Sequence, residues 1–106
     1  DFLREKAREK IAPRIRKWSK TTGLDFSDFK IRKLEKRWGS CTPSNIIIIN
    51  IDAIKLPFSL IDYLLVHELV HTKIKSHSKE FWVELSKHMP GFLQFQHWKP
   101  LLVKLC

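Results

Sequence analysis

The sequence predicts an α+β domain: a small antiparallel β-hairpin or sheet packed on one buried helix, with further helices flanking it. Three stretches carry that expectation. Residues 2 to 20 place Leu3, Ala7, Ile11, Ile15 and Trp18 three to four positions apart. Residues 46 to 49 are an unbroken run of isoleucine, and residues 60 to 70 are apolar on nearly every side of a helix. A helix that is apolar all round belongs inside a core, and this one is far shorter than the roughly 20 residues of a membrane span.

The first element, about Phe2 to Lys20, reads as an amphipathic helix. Its outer face carries Arg4, Arg8, Arg14, Arg16, Lys17 and Lys20 interleaved with Glu5 and Glu9. Pro13 is expected to kink it or to start a second segment, and Gly23 to stop it. From Phe29 to Trp38 the apolar positions shift from Phe29/Ile31 to Leu34/Trp38, which predicts a strand with a bulge near Lys33. Residues 38 to 45 hold the Gly, Pro and small polar residues of a loop. Ile46 to Ile49 then forms a strand antiparallel to the first. Its edge could hold an extended peptide, or it could be a plain core strand.

Ser59 and Asp62 resemble a capping box opening the apolar helix. A further helix follows His77 to about Met89, with Phe81, Trp82 and Leu85 toward the core and Pro90-Gly91 ending it. A last helix is expected from about Phe92 to Lys104, carrying Phe95, Trp98, Leu101 and Leu102 and broken by Pro100. His88 and His97 read as surface or partly packed residues.

The chain has 106 residues, the size of one small domain spanning 1–106. Of the net charge of +9, the first 40 residues supply +7. A basic face of that kind can meet nucleic acid or acidic partners, or be only a solvated helix surface. Cys41 and Cys106 lie far apart with no Cys-x-x-Cys pair, which argues against a zinc ribbon or a disulfide framework and for a reducing compartment. No membrane span and no secretory leader are visible, so the chain reads as cytoplasmic. It begins at Asp1, inside a helical pattern, as a fragment of a longer chain would.

The chemistry concentrates in LIDYLLVHELVHTKIKSHSKEFW, residues 60 to 82. His67 and His71 stand one turn apart on one helix face and can reach one ion, and Glu68 flanks them without ligating it. His77 would lie about 15 Å up the axis from His67 on a continued helix. To serve as third ligand it requires the chain to leave the helix between Thr72 and Ser76, after which Ser76 or Ser78 can cap a new helix. Unpaired His and Glu are costly in a buried helix, and a metal removes that cost. A third histidine five residues on also occurs in proteases that turn on a midway glycine. Here that position is Ile74, and no Met-turn follows, so that class does not fit.

Arg37-Trp38-Gly39-Ser40-Cys41, Asn50, Pro57, Ile61-Asp62-Tyr63, His67-Glu68-Leu69, His71, His77-Ser78, Phe81-Trp82 and Pro90 together resemble the YgjP-like metallopeptidase domain, a compact zincin similar in logic to SprT-like proteases. The resemblance runs from about Ile11 to Trp98. It implies a zincin-like α+β fold, one zinc held by His67, His71 and His77, and Glu68 as catalytic acid and base.

The leading reading is therefore a zinc metallopeptidase acting on protein or peptide, with the basic first helix as a possible contact to nucleic acid. Tyr63 and Arg37 are candidates to stabilise the oxyanion, and Asp52, Asp62 and Glu84 to orient the histidines. Two alternatives stay open at this point: a metal-dependent phosphohydrolase acting on nucleotides, and a nucleic-acid module with a structural metal that takes Cys41 as its fourth ligand.

Overall fold

The computed structural model describes residues 2–91, and the expected helix of residues 92–104, with His97 and Cys106, lies outside that range. The element order is α1 (Phe2–Thr22), β1 (Asp28–Arg32), β2 (Gly39–Cys41), β3 (Ile46–Asn50), a 3-10 helix (Ile51–Lys55), α2 (Phe58–Val70) and α3 (Lys79–His88).

In α1, Ala7, Ile11, Ala12 and Ile15 are buried, whereas Leu3, expected on the core stripe, is 57 % exposed. Pro13 neither ends the helix nor splits it. Gly23 stops it at φ 74°, a left-handed conformation that glycine adopts without strain, with its N–H donating to Ser19 O at 2.9 Å.

The sheet corrects the expected hairpin. β1 pairs with β3 in parallel, and the antiparallel partner of β3 is β2, giving the order β1-β3-β2. The stretch from 33 to 38 is no bulged extension of β1 but a crossing loop. It is held by Asn50, whose buried Nδ2 donates to Leu34 O and Arg37 O, both at 2.8 Å. The same amide caps the 3-10 helix, its Oδ1 accepting from Asp52 N at 3.1 Å. The crossing delivers the chain to the far edge, where Gly39, Ser40 and Cys41 form a strand out of residues expected to be loop. The turn Thr42 to Asn45 then returns it to the middle of the sheet. Phe29, Ile31, Ile47 and Ile49 point into the core.

α2 is the centre of that core. Every residue from Leu60 to Val70 is buried except Asp62. The helix opens on Pro57 with no side-chain cap, Leu60 N–H and Ile61 N–H both donating to Pro57 O at 3.0 Å. The Ser59–Asp62 capping box is not formed, because both residues lie inside the helix. Asp62 instead receives a two-pronged ion pair from Arg14 of α1, Nε to Oδ1 and Nη2 to Oδ2 at 2.8 Å each. In α3, Phe81 and Leu85 are fully buried, while Trp82, expected in the core, is 38 % exposed.

Candidate metal centre

Helix α2 supplies His67, Glu68 and His71 from one continuous face, and all three are buried. The helix ends at Val70 with His71 as its cap, and the chain turns at once: Thr72 N–H donates to Leu69 O and Ile74 N–H to Val70 O. Ile74 makes this turn without positive φ, so no midway glycine is required. The reversal returns His77 to the other two histidines just before α3 begins. Ring centroids lie 5.1 Å apart for His67–His71, 5.3 Å for His67–His77 and 4.7 Å for His71–His77.

One ring nitrogen from each of the three falls within 4.8 Å of the others. The Nε2 atoms of His71 and His77 are 3.1 Å apart, close to the edge of about 3.3 Å that a tetrahedral zinc with nitrogen ligands demands. His71 Nδ1 meets Ile74 O at 3.0 Å. A carbonyl only accepts, so the Nδ1 of His71 carries the hydrogen and its Nε2 keeps the lone pair that a metal would use. His67 Nδ1 is buried without a hydrogen-bond partner, with Glu68 Oε2 3.6 Å away. The donor set therefore fits a borderline-soft divalent ion.

The electrostatics favour neutral imidazoles. Burial, with a smaller contribution from the neighbouring His77, pushes the His67 pKa down to about 3. Burial also lowers that of His71, against the opposing pull of the Ile74 carbonyl. Both rings thus stay unprotonated near neutral pH, as ligands must. Phe81 forms a common wall, its ring centroid 4.9, 4.5 and 5.1 Å from those of His67, His71 and His77. Trp82 stacks on His77 at 6.1 Å and 25° from the more open side.

Glu68 is fully buried beneath β2. A methyl group at Gly39 would stand 3.1 Å from Leu64 Cδ1 and 3.2 Å from Glu68 Oε2, so the strand lies this near the carboxylate because position 39 has no side chain. No pattern of apolar spacing could have announced Gly39, Asn50 or the Ile74 carbonyl. Their roles come from backbone groups and close approach.

The other candidates are placed as follows. Tyr63 is buried one turn before His67, with ring centroids 6.1 Å apart, and burial raises its pKa. Arg37 is exposed, beside Trp38 at the rim of a cavity of about 300 Å³. The carboxylates expected to orient the histidines are engaged elsewhere: Asp52 with Lys33, Asp62 with Arg14, and Glu84 with Lys73, Lys87 and His88. The group that orients His71 is the Ile74 carbonyl. Among the described residues Cys41 is not in the metal-capable cluster, and its Sγ lies 3.7 Å from Thr42 O. On α1, Arg8, Lys10 and Arg14 are drawn onto the protein body through Phe29 O, Ile54 O and Asp62. No helix of the described residues is long and apolar enough to cross a membrane.

No curated protein matches the sequence. Among solved structures the chain is similar to the metallopeptidase zymogen of Pyrococcus abyssi abylysin, at 25 % identity and a TM-score of 0.68, over 76 % of this chain and 81 % of that one. The family model of the YgjP-like metallopeptidase domain matches residues 1–99. With that match over nearly its whole length, the chain belongs to the YgjP-like family of metallopeptidases and is a metal-dependent peptidase.

Proposed function

We propose that the chain hydrolyses peptide bonds with one zinc ion held by His67, His71 and His77, and with Glu68 as the proton carrier. The observation that supports this most is the convergence of three ring nitrogens within 4.8 Å around a buried Glu68. When bound, zinc on three neutral imidazoles supplies a Lewis acid with an open position and lowers the pKa of a water to about 7.

The chain's own residues do the rest. Glu68 takes a proton from the attacking water and passes it to the amide nitrogen as the C–N bond breaks. Phe81 and the burial of α2 keep the surroundings dry, which strengthens the field acting on the substrate carbonyl. Tyr63 is the better placed oxyanion candidate, being one turn from His67, and Arg37 the outer one.

β2 is the surface on which an extended peptide would lie. The bonds Asn50 N–H to Trp38 O and Thr42 N–H to Ile46 O, each 2.9 Å, fix the alternation of the ladder. By that alternation the backbone groups of Gly39 are directed away from β3, toward the side where a strand could add. The test is cleavage of an unstructured protein by the zinc-loaded chain. Cleavage that a chelator abolishes and zinc restores supports the reading, and zinc uptake with no cleavage of any polypeptide in a broad panel contradicts it.

A further inference from the structure

The turn between His71 and His77 is tied down at three successive residues, each to a different neighbour. Lys73 Nζ donates to Glu84 Oε1 on α3 at 3.2 Å, and Ile74 O accepts from His71 Nδ1 at 3.0 Å. Both of these stay within the helical half of the molecule. Lys75 does not. Its Nζ crosses to the sheet and donates to Asn45 Oδ1 and, at 3.2 Å, to Thr42 O.

The receiving turn is rigid. Asn45 is the one described non-glycine residue with positive φ, at 67°, and its N–H donates back to Thr42 O at 2.9 Å. Thr42 Oγ1 accepts from Ile46 N–H at 3.0 Å. Asparagine tolerates that conformation better than most residues, so its side-chain amide is presented to Lys75 by a well-braced backbone.

His77 differs from the other two histidines in what holds it. His67 and His71 are fixed by a buried helix, whereas His77 is exposed and follows a turn with no regular structure of its own. Lys75 lies two residues before it.

We propose that Lys75 is a positioning residue: by anchoring the loop to the Thr42–Asn45 turn it holds His77 ready for the metal. The consequence is that the third ligand and the strand β2, which leads directly into Thr42, share one anchor. This inference rests on the metal reading above.

The experiment is zinc affinity of the full chain, read by competition with a chromogenic chelator, for Lys75→Met, Asn45→Gly and the double variant. Glycine at 45 keeps the positive φ while deleting the amide. Asn45→Gly, which removes one charge-assisted hydrogen bond, is expected to weaken zinc binding by about tenfold, and Lys75→Met, which removes both, by at least as much. The double variant should be no weaker than Lys75→Met alone, since the bond to Asn45 is one of the two that Lys75 makes, and Lys75→Arg should restore affinity. A merely structural role would lower the unfolding midpoint of the metal-free protein and leave zinc affinity unchanged. Unchanged affinity in Lys75→Met, or losses that multiply in the double variant, would overturn the inference. If the unmodified chain takes up no zinc, the metal reading itself falls and this inference with it.

Discussion

Gly39 and Glu68 are in direct apposition: a methyl group on Gly39 would meet Oε2 of the carboxylate at 3.2 Å and its Cγ at 3.3 Å. Both distances are tighter than ordinary van der Waals contact, and Leu64 closes the third side at 3.1 Å. The edge strand and the acid-base group of the proposed mechanism therefore set each other's position.

Gly39→Ala is accordingly expected to push Glu68 or β2 aside by a few tenths of an ångström. Peptidase activity should fall by at least about tenfold, because small displacements of catalytic groups are expensive, while zinc affinity is retained. Metal content and turnover measured on the same sample check this, and full activity in the alanine variant would show that Glu68 does not need its present place.

Glu68→Gln preserves the size of the side chain and removes its ability to accept a proton. Turnover should drop by about 10² to 10⁴. Zinc stoichiometry should stay unchanged, because Glu68 is not one of the three clustered donors. A single-turnover assay with zinc-loaded protein is the check.

The pair Arg14–Asp62 joins α1 to α2 through two bonds of 2.8 Å, and the same guanidinium lies 4.3 Å from the Phe58 ring centroid. Arg14→Ala deletes the ion pair and the stacking together. A loss of about 1–2 kcal/mol is expected, since the pair is only partly screened from solvent, read from the urea midpoint at constant m-value. The zinc affinity of the folded protein should not change.

Glu84 anchors the ligand loop from the other side. Its pKa is lowered, first by the bond with His88 at 2.8 Å and then by Lys73 at 3.2 Å. A carboxylate whose folded pKa lies below its unfolded value stabilises the protein above the ordinary glutamate pKa of about 4.3, and that contribution disappears as the pH falls through the folded value. The stability gap between the unmodified chain and Glu84→Gln should thus be about 1 kcal/mol at neutral pH and should close as the pH falls below about 4.3 and through the folded value. Thermal unfolding across that range measures it.

The clustering of the three histidines was legible because helical geometry alone brings His67 and His71, four apart, onto one face, and because the reach of His77 demanded a chain reversal that the structure contains. The α+β class was legible from the same periodicities. What could not be read was decided by contacts distant in sequence. Gly39-Ser40-Cys41 carries no β pattern and becomes a strand only because β3 offers its edge. The parallel pairing of β1 follows from the route of residues 33 to 38, which Asn50 fixes through bonds to Leu34 and Arg37. Asp62 looked like a cap because Ser59 precedes it by three, and only the position of Arg14 reveals its partner. His71 is oriented by a backbone carbonyl, to which side-chain identity gives no clue.

The most direct test of the central claim is the coordination shell of the zinc-loaded protein, determined by X-ray absorption together with a crystal structure of that form. The expected result is one zinc on the imidazole nitrogens of His67, His71 and His77 with a single exchangeable oxygen, and loss of that ion in His77→Ala. A zinc closed by four protein ligands, Cys41 sulfur among them, or one bound with His77 turned away, would contradict the account.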